Sequence, residues 1–207
     1  MYRILLICLV LTVIPCRVAA DGKRYFKYNA GPDYPYEHEL KYLPDYCACV
    51  SGKYKERYIQ KKQKWKRYFK SKGNRGSDWI HLHHYCFGLT AMSRLRRGLG
   101  NRDHLMARAE GEFNYVIKQS SSRFVLMPEI QTNMGIVKLM QQKYVEAVLH
   151  FIRAIKLNKN YKPAYSYLIE YYKSQDKIKE AKKIASIGLQ NNPDSEYFKE
   201  ILSNLGR

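Results

Sequence analysis

The second half of the chain repeats itself. Ala147 and Ala181 stand 34 residues apart, and so do Gly135 and Ile169. Each alanine follows a short polar turn, Gln141-Gln142-Lys143 in one copy and Gln175-Asp176-Lys177 in the other. Apolar residues on both sides of these turns recur at helical spacing. A unit of this length with one turn at its middle is a pair of helices. One such pair cannot bury its own apolar face, so the chain must stack several. Helical patterning runs from residue 78 almost to the end. Asp78 is placed to cap a helix carrying Trp79, Leu82, Tyr85, Cys86, Leu89 and Met92, and Gly98-Leu99-Gly100-Asn101 ends it. Further helices are predicted over 104–118, 127–141, 144–157, 163–174 and 177–191, with a last one from Pro193-Asp194 to about residue 203. No strand pattern of useful length is present.

These positions resemble the tetratricopeptide repeat (TPR) family, whose period is 34. In the copy starting at Pro128, Gly135 matches the family's small first-helix residue. Ala147, Phe151 and Ala154 match its small-large-small series in the second helix. In the copy starting at Lys162, Tyr165, Leu168 and Tyr172 follow the first-helix face, Ala181 the second-helix alanine, and Pro193 the closing proline. Gln131, Ala185 and Gly188 depart from the pattern. A degenerate copy precedes these, with Gly88, Ala109, Phe113 and Val116, and with about nine extra residues expected in its turn around 98–104. The resemblance implies an all-α, TPR-type helical-repeat solenoid of two clear pairs, one degenerate pair and a capping helix.

It also implies a protein–protein interaction scaffold rather than an enzyme, binding another protein or peptide without a cofactor. By family position the concave groove is lined by Tyr85, Leu89, Met92, Thr132, Ile136, Leu139, Met140, Ser166, Tyr167 and Glu170. The lysines and asparagines with which the family clamps a C-terminal carboxylate are absent there. The face is apolar and aromatic, which suits an apolar helix or an extended peptide. The competing occupant is the chain's own helix at 52–72.

The N-terminus sets the compartment. Met1-Tyr2-Arg3 is a short positive start, residues 4–15 are apolar, and Val18-Ala19-Ala20 supplies small residues for a signal peptidase. The apolar run is shorter than the roughly 20 residues a spanning helix needs. Cleavage after Ala20 is expected, giving a periplasmic or secreted protein. A retained anchor and a lipid on Cys16 are the alternatives, and Pro15 counts against the second.

The expected organisation is a signal at 1–20, a Tyr/Pro-rich extended arm at 21–50, a basic amphipathic helix and Gly-rich linker at 51–77, the degenerate pair at 78–124, and two repeats with a capping helix at 125–207. A short helix inside the arm is expected at 38–42. In the basic helix Tyr54, Tyr58, Trp65, Tyr68 and Phe69 stay near one face, while lysines and arginines fill the rest. The whole chain carries a net charge of +19, which falls to +17 with loss of Arg3 and Arg17. Such a charge points to an anionic partner or surface. Export argues against nucleic acid and for lipid head groups, cell-wall polymers or an acidic protein. Lys61, Lys62, Lys64, Lys66, Arg67, Arg94, Arg96 and Arg97 are the candidate contacts. The aromatic stripe is more often a packing face, set on the helical array with its charges solvated. Oligomeric state cannot be read from the sequence.

Export leaves three cysteines, Cys47, Cys49 and Cys86, in a compartment that permits disulfides. Cys47 and Cys49 would enclose a very small ring, so Cys86 is expected to pair with one of them, Cys47 preferred. Closing a loop of about 40 residues is worth on the order of 3–4 kcal/mol. Asp45-Tyr46-Cys47 together with His83-His84-Tyr85-Cys86-Phe87-Gly88-Leu89 also resembles small exported TPR proteins of Gram-negative bacteria, and that resemblance implies the Cys47–Cys86 bond. His81, His83, His84 and Cys86 form the one cluster with the look of chemistry. His81 and His84 are three apart on a helix and would meet a thiolate as metal ligands. The spacing matches no strong zinc signature, and no metal site or catalytic residue is assigned. A metal- or thiol-dependent enzyme using Cys86 is the remaining alternative.

Overall fold

The computed structural model describes residues 35–50 and 59–206, and every regular element among them is helical. A 3-10 turn at Glu37–Tyr42 leads into α1 (Asp45–Val50). Then follow α2 (Ile59–Ser71), α3 (Gly76–Arg96), α4 (Arg102–Gln119), α5 (Met127–Met140), α6 (Tyr144–Leu157), α7 (Lys162–Ser174), α8 (Ile178–Asn191) and α9 (Glu196–Gly206). The helices pack in adjacent pairs, α3 with α4, α5 with α6 and α7 with α8, and α9 closes against α8.

The pairs turn in the same way. Gln142 and Asp176 both lie in the left-handed region, at φ 62° and 55°. Lys143 N–H then donates to the Lys138 carbonyl at 2.9 Å, and Lys177 N–H to that of Tyr172 at 2.9 Å. A left-handed residue after the last turn lets the next N–H reach back and satisfy an orphan carbonyl, which ends the helix and reverses the chain. Gly98 at φ 65° does the same for α3, with Leu99 N–H on the Arg94 carbonyl at 2.9 Å. Pro128 and Pro163 stand in the first turns of α5 and α7, where their missing N–H costs nothing.

Inside the first two pairs one small residue meets one large ring. A Cβ on Gly88 would sit 2.3 Å from the Phe113 ring, and one on Gly135 2.5 Å from Phe151. Both rings are fully buried. The third pair reverses the sizes. Ile169 stands one period after Gly135 and Ala185 one period after Phe151, and both are fully buried. The two departures compensate, since total volume across the contact is what close packing requires. Gly188 then admits the Phe198 ring of α9, 2.9 Å from where its Cβ would be. Ala109, Ala147 and Ala181 are wholly buried between helices.

Three local expectations are corrected. Asp78 is not the residue before α3 but lies in its first turn. Its Oδ2 accepts from Arg75 N–H at 2.8 Å and its Oδ1 from Ser121 N–H at 2.7 Å. The buried carboxylate thus ties the start of α3 to the loop after α4. The extra residues of the first pair go mostly into its helices and only in small part into its turn: α3 has 21 residues where α5 has 14, and α4 has 18 where α6 has 14. The arm is less extended than expected. Its short helix is the 3-10 turn, and after Pro44 the chain becomes α1, with Tyr46, Cys47, Ala48 and Cys49 all buried.

Two bonds hold this arm on α3. One is the Cys47–Cys86 disulfide, with the Cα atoms 5.4 Å apart. The other is a buried ion pair in which Arg94 Nε and Nη2 donate to the two Glu39 oxygens at 2.8 and 2.7 Å. Burial alone would raise the Glu39 pKa, but the Arg94 guanidinium and the Tyr36 N–H outweigh it and hold the carboxyl low. α2 packs through Trp65 and Phe69, whose rings meet Tyr46, Trp79 and Phe124. The signal expected at 1–20, the part of the arm expected at 21–34 and the part of the basic helix expected at 51–58 lie outside the described residues. None of the described helices is long and apolar enough to cross a membrane.

Candidate partner-binding cleft

The first helices of the three pairs and the arm enclose a cleft of about 300 Å³. The arm contributes Tyr42, Leu43 and Pro44 as one wall. α3 gives Leu89 and Arg96, α5 gives Glu129, Thr132, Asn133 and Ile136, and the start of α7 gives Tyr161, Pro163 and Tyr167. Of the residues expected in the groove, Leu89, Thr132, Ile136 and Tyr167 line this cleft. Tyr85 lies beneath it, fully buried, with its hydroxyl reaching the lining. Met92 is buried in the core, because α3 is covered by α1 of the arm and by α2 as well as by α4. Leu139 packs instead into the cluster around Phe151 and Leu168. Met140 is half-buried outside the lining, Ser166 bonds back to the Lys162 carbonyl, and Glu170 pairs with Lys173. No described residue of the chain's own basic helix lines the cleft.

The floor is polar. Tyr85 Oη donates to Glu129 Oε1 at 2.7 Å, and Asn133 Nδ2 donates to Tyr85 Oη at 2.8 Å. Glu129 sits in the first turn of α5, held at one oxygen by this chain of neutral donors. Burial pushes its pKa up, and the Tyr85 hydrogen bond offsets only part of that. Burial likewise raises the phenol pKa values of Tyr46 and Tyr161, and the nearby Glu129 charge adds to it. These phenols therefore stay neutral at any physiological pH. Tyr167 stacks on Phe151 with ring centroids 5.6 Å apart and an interplanar angle of 7°, yet it remains 39% exposed at the rim.

The basic residues divide. Lys61, Lys64, Lys66 and Arg67 are exposed on α2, and Lys62 is half-buried beside them. Lys61 also approaches Asp45 at 3.9 Å. Arg96 is exposed at the cleft. Arg97 lies over the Tyr42 ring at 4.4 Å. Arg94 leaves the candidate anionic surface altogether, because it is buried against Glu39.

The histidine cluster lies on α3, with His84 turned to Glu112 of α4. His84 Nδ1 is 2.6 Å from Glu112 Oε2, Arg108 Nε donates to Glu112 Oε1 at 2.8 Å, and the His84 ring lies 3.9 Å from that of Tyr115. Burial and the neighbouring His84 hold the His83 pKa below the usual imidazole value. The Cys86 sulfur is in the disulfide, so it offers no thiolate to His81 or His84. Among the described residues no group of three His, Cys, Asp or Glu side chains is placed to hold a metal ion. Cys49 keeps a buried thiol whose pKa burial raises.

Sequence reasoning missed Glu129, Tyr161 and the Tyr42-Leu43-Pro44 wall. An acid after a proline at a helix start reads as ordinary helix chemistry, and nothing local says that it faces a cleft. No protein-family model matches the chain, and no curated protein matches it.

Proposed function

We propose that the chain is a TPR-type scaffold that acts outside the cytoplasm in an envelope assembly and holds a segment of a partner protein in the cleft. The observation that carries this reading is the cleft itself, built from the first helices of three consecutive pairs and walled by the arm. The family resemblance is supported by the identical left-handed turns at Gln142 and Asp176 and by the small-against-large contacts inside the pairs. The Cys47–Cys86 bond is compatible with the periplasmic or secreted location that residues 1–20 suggest.

The test is site-specific crosslinking in intact cells. A photoreactive residue at Tyr167, on the rim, is expected to trap one defined partner. The same residue at Val145, which is 76% exposed on α6, is expected not to. Equal trapping from both positions, or none from either, would count against the scaffold reading.

A second reading has its own support. The exposed Lys61, Lys64, Lys66 and Arg67 leave α2 with a cationic outer face while its aromatic face is packed. Such a face binds anionic lipid or cell-wall polymer in a salt-dependent way. Binding to anionic vesicles that does not weaken between low and physiological salt would remove it.

A further inference from the structure

The described interior acids have strong donors, with one exception. Glu39 is paired with Arg94, Glu110 with Lys138 and Gln141, and Glu112 with Arg108 and His84. Asp78 accepts two backbone N–H groups. Glu129 alone has a single neutral partner, the Tyr85 hydroxyl, and no described lysine or arginine pairs with it. This holds in a chain whose net charge is +19, where a cation is the commonest neighbour an acid can meet. A desolvated carboxylate without a counter-charge is destabilising by itself. It becomes favourable when a ligand brings the missing cation.

We propose that the Glu129 end of the cleft is a subsite for a primary ammonium group on an aliphatic stem, presented by a lysine of the partner segment. This rests on the scaffold reading and names what its cleft selects. Glu129 Oε2 takes no bond from a described residue and is left to accept the ammonium. The phenol rings of Tyr161 and Tyr167 line the same cleft, and such rings attract a cation and cover its methylene stem. Leu43, Leu89, Pro163 and Ile136 supply the apolar remainder. The Tyr85–Asn133 chain fixes the carboxylate before the ligand arrives, so little ordering is required on binding.

The rim sets a second requirement. Arg96 lies three helical turns beyond Tyr85 on α3, about 16 Å away at 1.5 Å per residue. A partner segment spanning that distance meets a cation at its far end. The preferred segment therefore carries one lysine in an otherwise neutral or acidic stretch. A uniformly basic segment is repelled by the rest of the chain, which makes the isolated acid a discriminating contact.

The test uses the disulfide-intact protein and fluorescent, end-blocked heptapeptides of serine, valine and aspartate. The central residue is lysine, acetyl-lysine or norleucine, and binding is read by anisotropy at low salt. The lysine peptide is expected to bind at least tenfold tighter than the other two. Glu129→Gln is expected to remove that preference without lowering the melting temperature, since it deletes a poorly solvated charge and keeps the shape. Equal binding of the three peptides to the unaltered protein overturns the proposal, and that arm stands even if the variant misfolds. An unchanged lysine preference in Glu129→Gln also overturns it. So does cadaverine displacing the peptide at equal concentration, which would make the cleft a small-amine site. Trapping at Tyr167 that persists in Glu129→Gln would sink the lysine subsite while leaving the scaffold reading intact.

Discussion

In the repeat half, α5 meets α6 through Gly135 against the Phe151 ring. In the N-terminal cap, the 3-10 turn meets α3 through the Glu39 carboxylate against the Arg94 guanidinium, and α1 meets it through a disulfide. The first kind of contact is non-directional and depends on volume, so it recurs wherever small and large residues recur. The second is directional and joins residues 55 apart in sequence, with nothing in either segment to announce the other. The same molecule thus has a body held by packing and a cap held by specific bonds. The cleft lies where the two meet.

The difference is broken most directly at the ion pair. Glu39→Ala leaves the Arg94 charge buried without its partner, which costs about 3–5 kcal/mol. Hydrogen exchange on the variant is expected to show loss of protection across residues 37–50 first, with α5 to α8 protected as before. A uniform loss across all helices would mean that cap and body form one cooperative unit.

An effect of similar size is expected in the body, but a remedy exists there. Phe151→Ala is expected to cost about 3–5 kcal/mol, by lost burial and a cavity. Adding Gly135→Ile should recover at least half, because Ile169 and Ala185 already make that exchange one period later. Denaturant midpoints of the single and double variants decide it. Failure of the second substitution to rescue the first would mean that the third pair has a different backbone spacing.

These two cases also explain what the sequence made legible. The helix pairs could be read because Ala147 and Ala181 must be small and Phe151 and Tyr165 must be large for geometric reasons that repeat along the chain. The Ile169–Ala185 exchange could not, since each half looks like a departure until the two are found buried in one cluster. The arm was read as extended because Pro44 and the tyrosines dominate its composition. Burial of Tyr46, Cys47 and Cys49 under α2 is what makes α1 a helix. The basic face of α2 was legible, whereas the burial of Arg94 was not. In the cleft, four of the ten groove positions were placed by family register, and the polar floor was not placed at all. Glu129 acquires its character only from long-range desolvation.

A smaller effect appears with pH. His150 Nδ1–H donates to Gln131 Oε1 at 2.7 Å between α5 and α6. Burial, with help from Arg153 and Lys138, depresses its pKa to about 4 from an ordinary value of 6.5. The unfolded chain therefore binds a proton at His150 before the folded chain does. Stability from this residue is fully present above pH 6.5 and is lost as the pH falls through 4. At about 1.36 kcal/mol per unit the full shift would be worth about 3 kcal/mol, and because the ring is only half-buried solvent screening reduces the loss to roughly 1–2 kcal/mol. Urea unfolding of the natural chain and His150→Gln at pH 7 and pH 4 separates this from the carboxylates, which both proteins share. Parallel pH profiles would place the histidine outside the body's stability.

The smallest effect compares three copies of one turn. Gly98, Gln142 and Asp176 hold the same left-handed conformation, but only the first has no Cβ to strain there. Aspartate tolerates the region better than glutamine does, because its short side chain bonds locally. Gln142→Gly is therefore expected to stabilise by about 0.5–1 kcal/mol and Asp176→Gly by less, while Gly98→Ala destabilises by about 1 kcal/mol. Because the hydrogen bonds across the three turns match, the differences isolate the side chain from the turn. Thermal unfolding ranks them. Destabilisation by Gln142→Gly would mean that the glutamine side chain, exposed as it is, makes the turn more than its backbone does.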